Sequence, residues 1–125
     1  LCRRENVAGA AALARACAAA GIPLVAFSSH LVFGGDKPAP YLEGDTVAPR
    51  GVYAAAKAEA ERLVLAAFPD ALLIRPGTFF GPWDSRNTLT RAIRAVGRGQ
   101  GFAAASDVTV SPTYLPDLAD ATLDL

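Results

Sequence analysis

The sequence predicts an α/β fold, namely the C-terminal part of a doubly wound parallel sheet. Helical and strand patterns alternate along its 125 residues, which is typical of strands joined by helical crossovers. The runs 24–28 and 71–75 are apolar almost throughout, as expected for parallel strands that are covered on both faces. We therefore expect these two strands to be parallel neighbours in one sheet.

In its first half, the chain is predicted to form helix, strand, long loop and helix. An alanine-rich helix is predicted for 4–20, and Gly21 follows it in the usual C-cap position. The glycines and prolines of 34–51 indicate a long structured loop, and loops of this length are usually functional. A second helix is predicted for 52–68, and Pro69 ends it.

The second half of the chain contains weaker patterns. The pair 76–77, Pro-Gly, ends the second strand, and an irregular stretch follows it. A helix is predicted for 88–96 and a short strand for 108–110. A final helix is predicted for 116–125, with Pro116 in its first turn, where a proline is tolerated.

Composition limits the kinds of partner that the protein can have. The chain is 52% hydrophobic and 19% charged, so it is globular, and its 12 basic and 12 acidic residues balance. We therefore expect neither nucleic acid nor a membrane as partner, and no apolar run reaches the roughly 18 residues of a membrane span. Cys2 and Cys17 have no metal-ligand spacing; we expect no metal, and two reduced, buried thiols in a cytoplasmic protein.

Polar side chains lie where the predicted strands end. Ser28 and Ser29 close the first strand, and Tyr53 and Lys57 lie one helical turn apart on one helix face. Ligands of parallel sheets bind beyond the carboxyl ends of the strands, which is also where 76–77 lie. Together these groups suit a carbonyl-reducing site, because the serine binds the substrate oxygen and the tyrosine supplies the proton. The lysine charge favours the ionised phenol.

Each of these residues also has a simpler interpretation. A tyrosine and a lysine four residues apart are more often an accident of helical spacing than a catalytic pair. Ser29 could cap a turn, as serine often does after a strand. His30, the single histidine, fits a loop or packing role better than an acid–base role, since Tyr53 already fills that role.

Taken together and in order, the motifs resemble those of the extended short-chain dehydrogenase/reductases. Within that family, the closest resemblance is to the dTDP-4-dehydrorhamnose reductases, and it extends from about Asn6 to the C-terminus. The motifs are 28–33 (Ser-Ser-His-Leu-Val-Phe), 40–45 (Pro-Tyr-Leu-Glu-Gly-Asp), 53–59 (Tyr-Ala-Ala-Ala-Lys-Ala-Glu), 73–75 (Leu-Ile-Arg) and 111–114 (Ser-Pro-Thr-Tyr).

The resemblance implies a Rossmann-like fold and three catalytic residues. Tyr53 would be the proton donor, and Ser29 would bind the carbonyl oxygen of the substrate. Lys57 would hold the nicotinamide ribose and favour the tyrosinate. Tyr53 and Lys57 would thus also belong to the binding site of the cofactor, NADPH or NADH.

The resemblance also implies four further binding residues, and the sequence departs from the family at several points. Pro76 and Gly77 would border the nicotinamide. His30 and Thr78 would contact the substrate, at positions where the family has Asp and Trp. The family's glycine-rich dinucleotide turn has no counterpart in this sequence, which also contains no methionine. We therefore expect a piece of a longer protein whose N-terminal dinucleotide-binding half is missing.

The expected function is reduction of a 4-keto nucleotide sugar. The alternatives are an epimerase or dehydratase of the same superfamily, which shares the serine, tyrosine and lysine, and a non-catalytic binding or regulatory fragment. We expect one incomplete domain, with a Rossmann-like part over 1–80 and part of a substrate-binding lobe over 81–125. A homodimer is an option for the full-length protein.

Overall fold

The computed structural model describes residues 3–125, which form two compact units, one ending at Pro76 and one beginning at Gly77. Each unit contains one pair of parallel strands. The chain is similar in fold to Rossmann-like neighbours, so the predicted α/β class is confirmed. The unit boundary lies four residues before the predicted division at 80/81.

In the first unit, two longer helices pack against each other beside a two-stranded sheet. In chain order its elements are a π-helical turn Arg4–Gly9, α1 (Ala10–Ala20), β1 (Val25–Phe27), a short 3₁₀-helix His30–Val32, α2 (Val52–Ala67) and β2 (Leu72–Ile74). The two helices and two strands that the sequence predicts here are present. The π-helical first turn and the 3₁₀-helix were not predicted.

The strands β1 and β2 are parallel, as the sequence predicted. Their register pairs Val25 with Leu72 and Phe27 with Ile74. The Ser28 N–H donates to the Ile74 carbonyl oxygen at 2.7 Å, so pairing continues to the carboxyl end of β1. The residues that follow both strands therefore leave the sheet at the same edge.

Small side chains form the core of this unit. Ala14 of α1 and Val64 of α2 pack with Leu24 and Ala71, which lie just before the two strands. Alanine at such contacts lets helix and sheet backbones approach closely. Gly21 ends α1 with φ 64°, a left-handed conformation that glycine adopts without strain, so the predicted C-cap is confirmed.

The cysteine prediction has two outcomes. Cys17 is a free thiol, but it is partly buried where full burial was expected, because it packs at the border of the core. Cys2 lies outside the described residues.

The second unit contains a strand pair that the sequence did not predict. Its elements are β3 (Thr78–Phe80), α3 (Thr88–Gly97), β4 (Pro112–Tyr114) and α4 (Leu115–Leu123). The strands β3 and β4 are parallel and pair Thr78 with Pro112. Pro116 lies in the first turn of α4, as predicted.

The predicted strand at 108–110 is wrong, because the strand lies at Pro112–Tyr114 instead. Val108 and Val110 are 60% and 53% exposed, so their β-branched side chains pack against nothing that would favour a strand. Proline is accepted as the first residue of a strand, where its missing N–H costs no ladder bond. Within residues 3–125, no helix is both long and apolar enough to cross a membrane.

Candidate active site

Lys57 connects helix α2 to the carboxyl end of strand β1. Its Nζ donates to the Phe27 carbonyl oxygen at 3.0 Å, and Phe27 is the last residue of β1. The same Nζ lies 5.9 Å from the centre of the Tyr53 ring, one helical turn earlier. The structure thus brings the predicted tyrosine and lysine together beside a strand end.

Tyr53 lies in the first turn of α2, where its side chain is exposed. Gly51 precedes the helix with φ 87°, a conformation that an L-residue rarely adopts, and no side chain caps this end. Tyr53 is 45% exposed, whereas Ala54 and Ala56 are buried. Tyr53 is therefore accessible to a ligand, while the alanines next to it are packed inside the unit.

Ser29 has the capping role that was its simpler interpretation. It is buried, and its Oγ accepts a hydrogen bond from the Leu31 N–H at 3.2 Å as the N-cap of the 3₁₀-helix. That bond uses a lone pair of the oxygen, so the hydroxyl hydrogen is still available to a substrate oxygen. The convergence of Ser29 with Tyr53 and Lys57 in one cleft stays a prediction.

His30 is held against Pro76 by two hydrogen bonds. The backbone N–H of His30 donates to the Pro76 carbonyl oxygen at 3.0 Å. The Nδ1 of the His30 ring lies 3.1 Å from the same oxygen. Because a carbonyl oxygen only accepts, Nδ1 carries the hydrogen. This bridge joins a predicted substrate residue to a predicted cofactor residue, at the edge where both strands end.

An ion pair that the sequence analysis did not assign lies behind this edge. Both carboxylate oxygens of Glu61 accept from Arg75, at 2.8 and 2.7 Å, and the side chains are only 8% and 22% exposed. Burial alone would raise the pKa of Glu61, but the hydrogen bonds and charge of Arg75 outweigh it and lower the pKa. The spacing Tyr53, Lys57, Glu61 on one helix face was the signal that could have found this residue.

The Ser28 hydroxyl lies beside this pair. It also contributes to the lowered pKa of Glu61, yet the contact lacks hydrogen-bond geometry. The buried Ser28 Oγ therefore has no hydrogen-bond partner among residues 3–125.

The long loop after β1 has its own internal structure, as the sequence predicted. The Phe33 and Tyr41 rings stack with centres 4.4 Å apart, and the Tyr41 oxygen accepts from the Gly35 and Lys37 N–H groups. Lys37 Nζ lies 2.6 Å from the Asp45 carboxylate. Hydrogen bonds from Lys37 and the backbone lower the pKa of Asp45. The Pro-Tyr-x-Glu-x-Asp motif therefore forms a closed turn.

Two predicted binding residues, Gly77 and Thr78, lie in the second unit. The Gly77 N–H donates to Thr113 Oγ1 at 2.9 Å, and a Cβ on Gly77 would lie 1.8 Å from the Ser111 carbonyl oxygen. Only glycine fits so close an approach of two backbones. Thr78 is exposed at the start of β3.

The second unit also has a cavity of about 320 Å³. Aromatic and charged side chains together form its wall. The lining residues are Phe79, Phe80, Gly81, Trp83, Asp84, Arg86 and Leu115. Aromatic faces beside a guanidinium suit a flat ring that carries phosphate groups.

The parallel strands β1 and β2, with Lys57 at the end of β1 and Tyr53 beside it, define a Rossmann-like α/β protein of the short-chain dehydrogenase/reductase type. More specifically, the chain belongs to the RmlD substrate binding domain family, which matches residues 3–125.

Known proteins similar to the chain agree with this assignment. A dTDP-4-dehydrorhamnose reductase of Mycobacterium tuberculosis (strain ATCC 25618 / H37Rv) is 40% identical over 125 residues, covering 96% of this chain and 41% of the relative. The crystal structure of a dTDP-4-dehydrorhamnose reductase from Clostridium acetobutylicum ATCC 824 superposes with a TM-score of 0.84 at 29% identity, covering 95% of this chain and 42% of that chain.

A second solved structure contains a cofactor. The dTDP-4-dehydrorhamnose reductase of Bacillus anthracis str. Ames in complex with NADP has a TM-score of 0.76 at 27% identity, and the match covers 95% of this chain and 42% of that one. The chain therefore spans about two fifths of the length of the curated relatives that it matches.

Proposed function

We propose that this chain carries the catalytic residues of an NAD(P)H-dependent reductase of a 4-keto nucleotide sugar, acting like dTDP-4-dehydrorhamnose reductase in dTDP-rhamnose biosynthesis. One observation carries the proposal. Lys57 is fixed at the carboxyl end of β1 with its Nζ 5.9 Å from the Tyr53 ring, in a chain of the RmlD family. A phenol beside a lysine ammonium suits carbonyl reduction, because the positive charge favours release of the phenolic proton.

Tyr53 and Ser29 act on the carbonyl oxygen of the substrate. Tyr53 donates its phenolic proton to that oxygen as the carbonyl becomes an alcohol. Ser29 donates its hydroxyl hydrogen to the same oxygen, and the Leu31 N–H bond orients the serine for this. The capping contact of Ser29 and its catalytic role are thus compatible.

Lys57 suits the ribose of a nicotinamide cofactor, NADPH or NADH, which supplies a hydride when bound. An ammonium has three hydrogens, and the Phe27 carbonyl oxygen takes one of them, so the others can bind ribose hydroxyls. Tyr53, Pro76 and Gly77 complete the nicotinamide end. The sequence has no glycine-rich turn after a strand that could bind the diphosphate, so these residues bind only the nicotinamide end of the cofactor.

His30, Thr78 and the second unit bind the nucleotide sugar in this proposal. His30 is held rigidly by Pro76, which supports a directional contact. The aromatic cavity in the second unit, with Trp83 79% exposed, supports a role of 81–125 in substrate binding.

The setting of the full-length protein follows from the same proposal. A cytoplasmic location fits the free thiol of Cys17, since such thiols persist in reducing compartments. A nucleotide-sugar substrate requires neither nucleic acid nor a membrane as partner. A homodimer stays a prediction for the full-length protein.

A chimeric enzyme tests the activity directly. The 125 residues replace the matching stretch of the M. tuberculosis reductase, which supplies the remaining three fifths of the protein. The assay follows NADPH and NADH oxidation with a dTDP-4-keto sugar and identifies the product. We expect cofactor oxidation and a reduced sugar from the chimera.

Tyr53→Phe removes only the proton donor, so it should lower turnover about 10²–10⁴-fold. Tyr114→Phe is the matched control, because Tyr114 packs on Phe80 and should stay within about twofold of the parent. A well-folded chimera that epimerises or dehydrates the sugar without net cofactor oxidation would support the epimerase or dehydratase alternative. No reaction at all would support the non-catalytic one.

A further inference from the structure

The Arg75 guanidinium contacts three residues of the first unit. Its Nε and Nη2 donate to Glu61 of α2, at 2.8 and 2.7 Å. Its Nη1 donates to the Glu43 carbonyl oxygen at 3.2 Å. Its Cζ lies 4.9 Å from the centre of the Phe33 ring, within cation–π distance. A single residue after β2 thus joins the long loop to the helix that carries Tyr53.

The two contacts of Arg75 with the loop affect more residues than Phe33 and Glu43. Phe33 stacks on Tyr41, and the Lys37–Asp45 pair closes the turn that contains Glu43. A guanidinium that contacts both the ring and the Glu43 carbonyl therefore positions the whole segment from Phe33 to Asp45, which we name the clamp segment. The clamp segment contains no helix or strand, so it depends on side-chain contacts such as these, to which an ion pair of Asp36 with Arg50 is added.

Arg75 contacts α2 on the helix face that carries Tyr53 and Lys57. Glu61 follows Lys57 by one turn and Tyr53 by two on α2, so the three share one face. A bidentate arginine–carboxylate pair restricts both partners to one geometry, which a single-point contact cannot do.

We propose that Arg75 is a positioning residue that fixes the clamp segment against helix α2. Only its catalytic consequence rests on the proposed reductase function. A merely structural arginine would neutralise the buried Glu61 and leave the clamp segment unaffected, and the two accounts differ in an accessible observable.

Proteolysis at Glu43–Gly44 reports on the clamp segment. Both residues are exposed, and the other sites for a glutamyl endopeptidase, Glu5, Glu59 and Glu61, lie within helices. Arg75→Lys keeps a positive charge near Glu61 but lacks the planar fork that reaches the helix and the loop at once. The matched control is Arg62→Lys, an exposed position on α2.

We expect Arg75→Lys to speed cleavage at Glu43–Gly44 about tenfold, with cleavage at the helical sites unchanged and Arg62→Lys equal to the parent. Cleavage within twofold of the parent, or a rise shared by all sites, overturns the proposal. If Arg75→Lys does not fold, the double variant E61Q/R75Q removes both charges and the loop contact together. It should show the same selective cleavage at Glu43–Gly44, judged against Glu5 and Glu59 because the Glu61 site is gone, and an unchanged rate at Glu43–Gly44 also overturns the proposal.

The chimeric reductase supplies a second readout. Arg75→Lys should lower its kcat/KM about tenfold, whereas Arg62→Lys should leave it unchanged. An inactive parent chimera would refute the proposed function, and the cleavage rates alone would then decide on Arg75. An active chimera whose Arg75→Lys variant keeps both its turnover and its cleavage rate refutes the role of Arg75 while the proposed function stands.

Discussion

Gly77→Ala is the substitution for which the structure predicts the sharpest effect. The added Cβ would lie 1.8 Å from the Ser111 carbonyl oxygen and 3.0 Å from the Ser111 carbonyl carbon. Side-chain Cβ atoms essentially never approach closer than 3.0 Å, so the two backbone segments must separate by roughly 1.2 Å or more. Neither partner is a flexible side chain that could rotate away.

The cost has two parts. Overpacking in a fixed environment typically costs about 1–3 kcal/mol, and a backbone obstacle lies at the upper end of that range. Separation also stretches the 2.9 Å bond from the Gly77 N–H to Thr113 Oγ1, worth about 1 kcal/mol. The lower chain entropy of alanine in the unfolded state returns about 0.4–1 kcal/mol. We therefore expect Gly77→Ala to lower the free energy of unfolding by about 3 kcal/mol.

Gly81→Ala is the matched control within the same unit. Its Cβ would meet Leu115 and Trp83 at 3.9 and 4.0 Å, which are ordinary contacts, and its φ lies outside the left-handed region. Urea unfolding followed by far-UV circular dichroism measures both variants at equal protein concentration. If their unfolding free energies differ by less than about 0.5 kcal/mol, the close approach of Gly77 to Ser111 is refuted.

Three further predictions concern other parts of the chain. Asn87→Ala should lower the free energy of unfolding by about 1 kcal/mol, because the Asn87 side chain accepts from the Thr90 N–H at 2.8 Å as the N-cap of α3. Thr88→Ala is the control, and an equal loss of stability in both variants would contradict the capping role of Asn87. The lowered pKa of Glu61 means that its ionised form stabilises the fold above its ordinary value of 4.5, and that this stability is lost as pH falls through the lower folded value. The melting temperature of the parent should thus fall more steeply from pH 5 to 3 than that of Glu61→Gln, and parallel curves would exclude the effect. Calorimetric titration of the chain alone with NADPH and NADH should show no micromolar binding, since no glycine-rich turn holds the diphosphate; micromolar affinity would reveal a site that the sequence does not show.

The first unit was predictable because its patterns are strong and local. The apolar runs predicted β1 and β2 and their parallel pairing, which the register of Val25 with Leu72 confirms. Gly21 marked the end of α1 because only its left-handed φ satisfies that turn without strain. Such signals depend on neighbours in sequence, so no knowledge of distant contacts was needed.

The second unit was harder because distant contacts decide its strands. The alternation Val-Thr-Val at 108–110 has a higher strand propensity than Pro-Thr-Tyr at 112–114, yet the latter pairs with β3. The close approach of Gly77 to Ser111 and its bond to Thr113 hold 112–114 beside β3. Neither contact can be predicted from the sequence, because the residues that form it lie more than thirty positions apart.

The candidate site shows the same division between local spacing and distant contacts. Spacing on one helix sufficed to place Lys57 beside Tyr53, which the 5.9 Å separation confirms. The Glu61–Arg75 pair was not predicted, because it joins a helix to the residue after a strand fourteen positions later. For Ser29, the sequence offered a cap and a catalytic hydroxyl as alternatives, and one oxygen can serve both.

His30 shows how a distant contact changes the chemistry of a substituted position. The sequence resemblance places an aspartate there, which offers only acceptor oxygens, so a histidine looks like a loss of function. The Pro76 carbonyl oxygen, however, takes the hydrogen of Nδ1. In the neutral ring, Nε2 is then an acceptor, as the carboxylate oxygen would be. A substrate contact of His30, which stays a prediction, would therefore keep an acceptor, and the departure from the family is smaller in chemistry than in residue type.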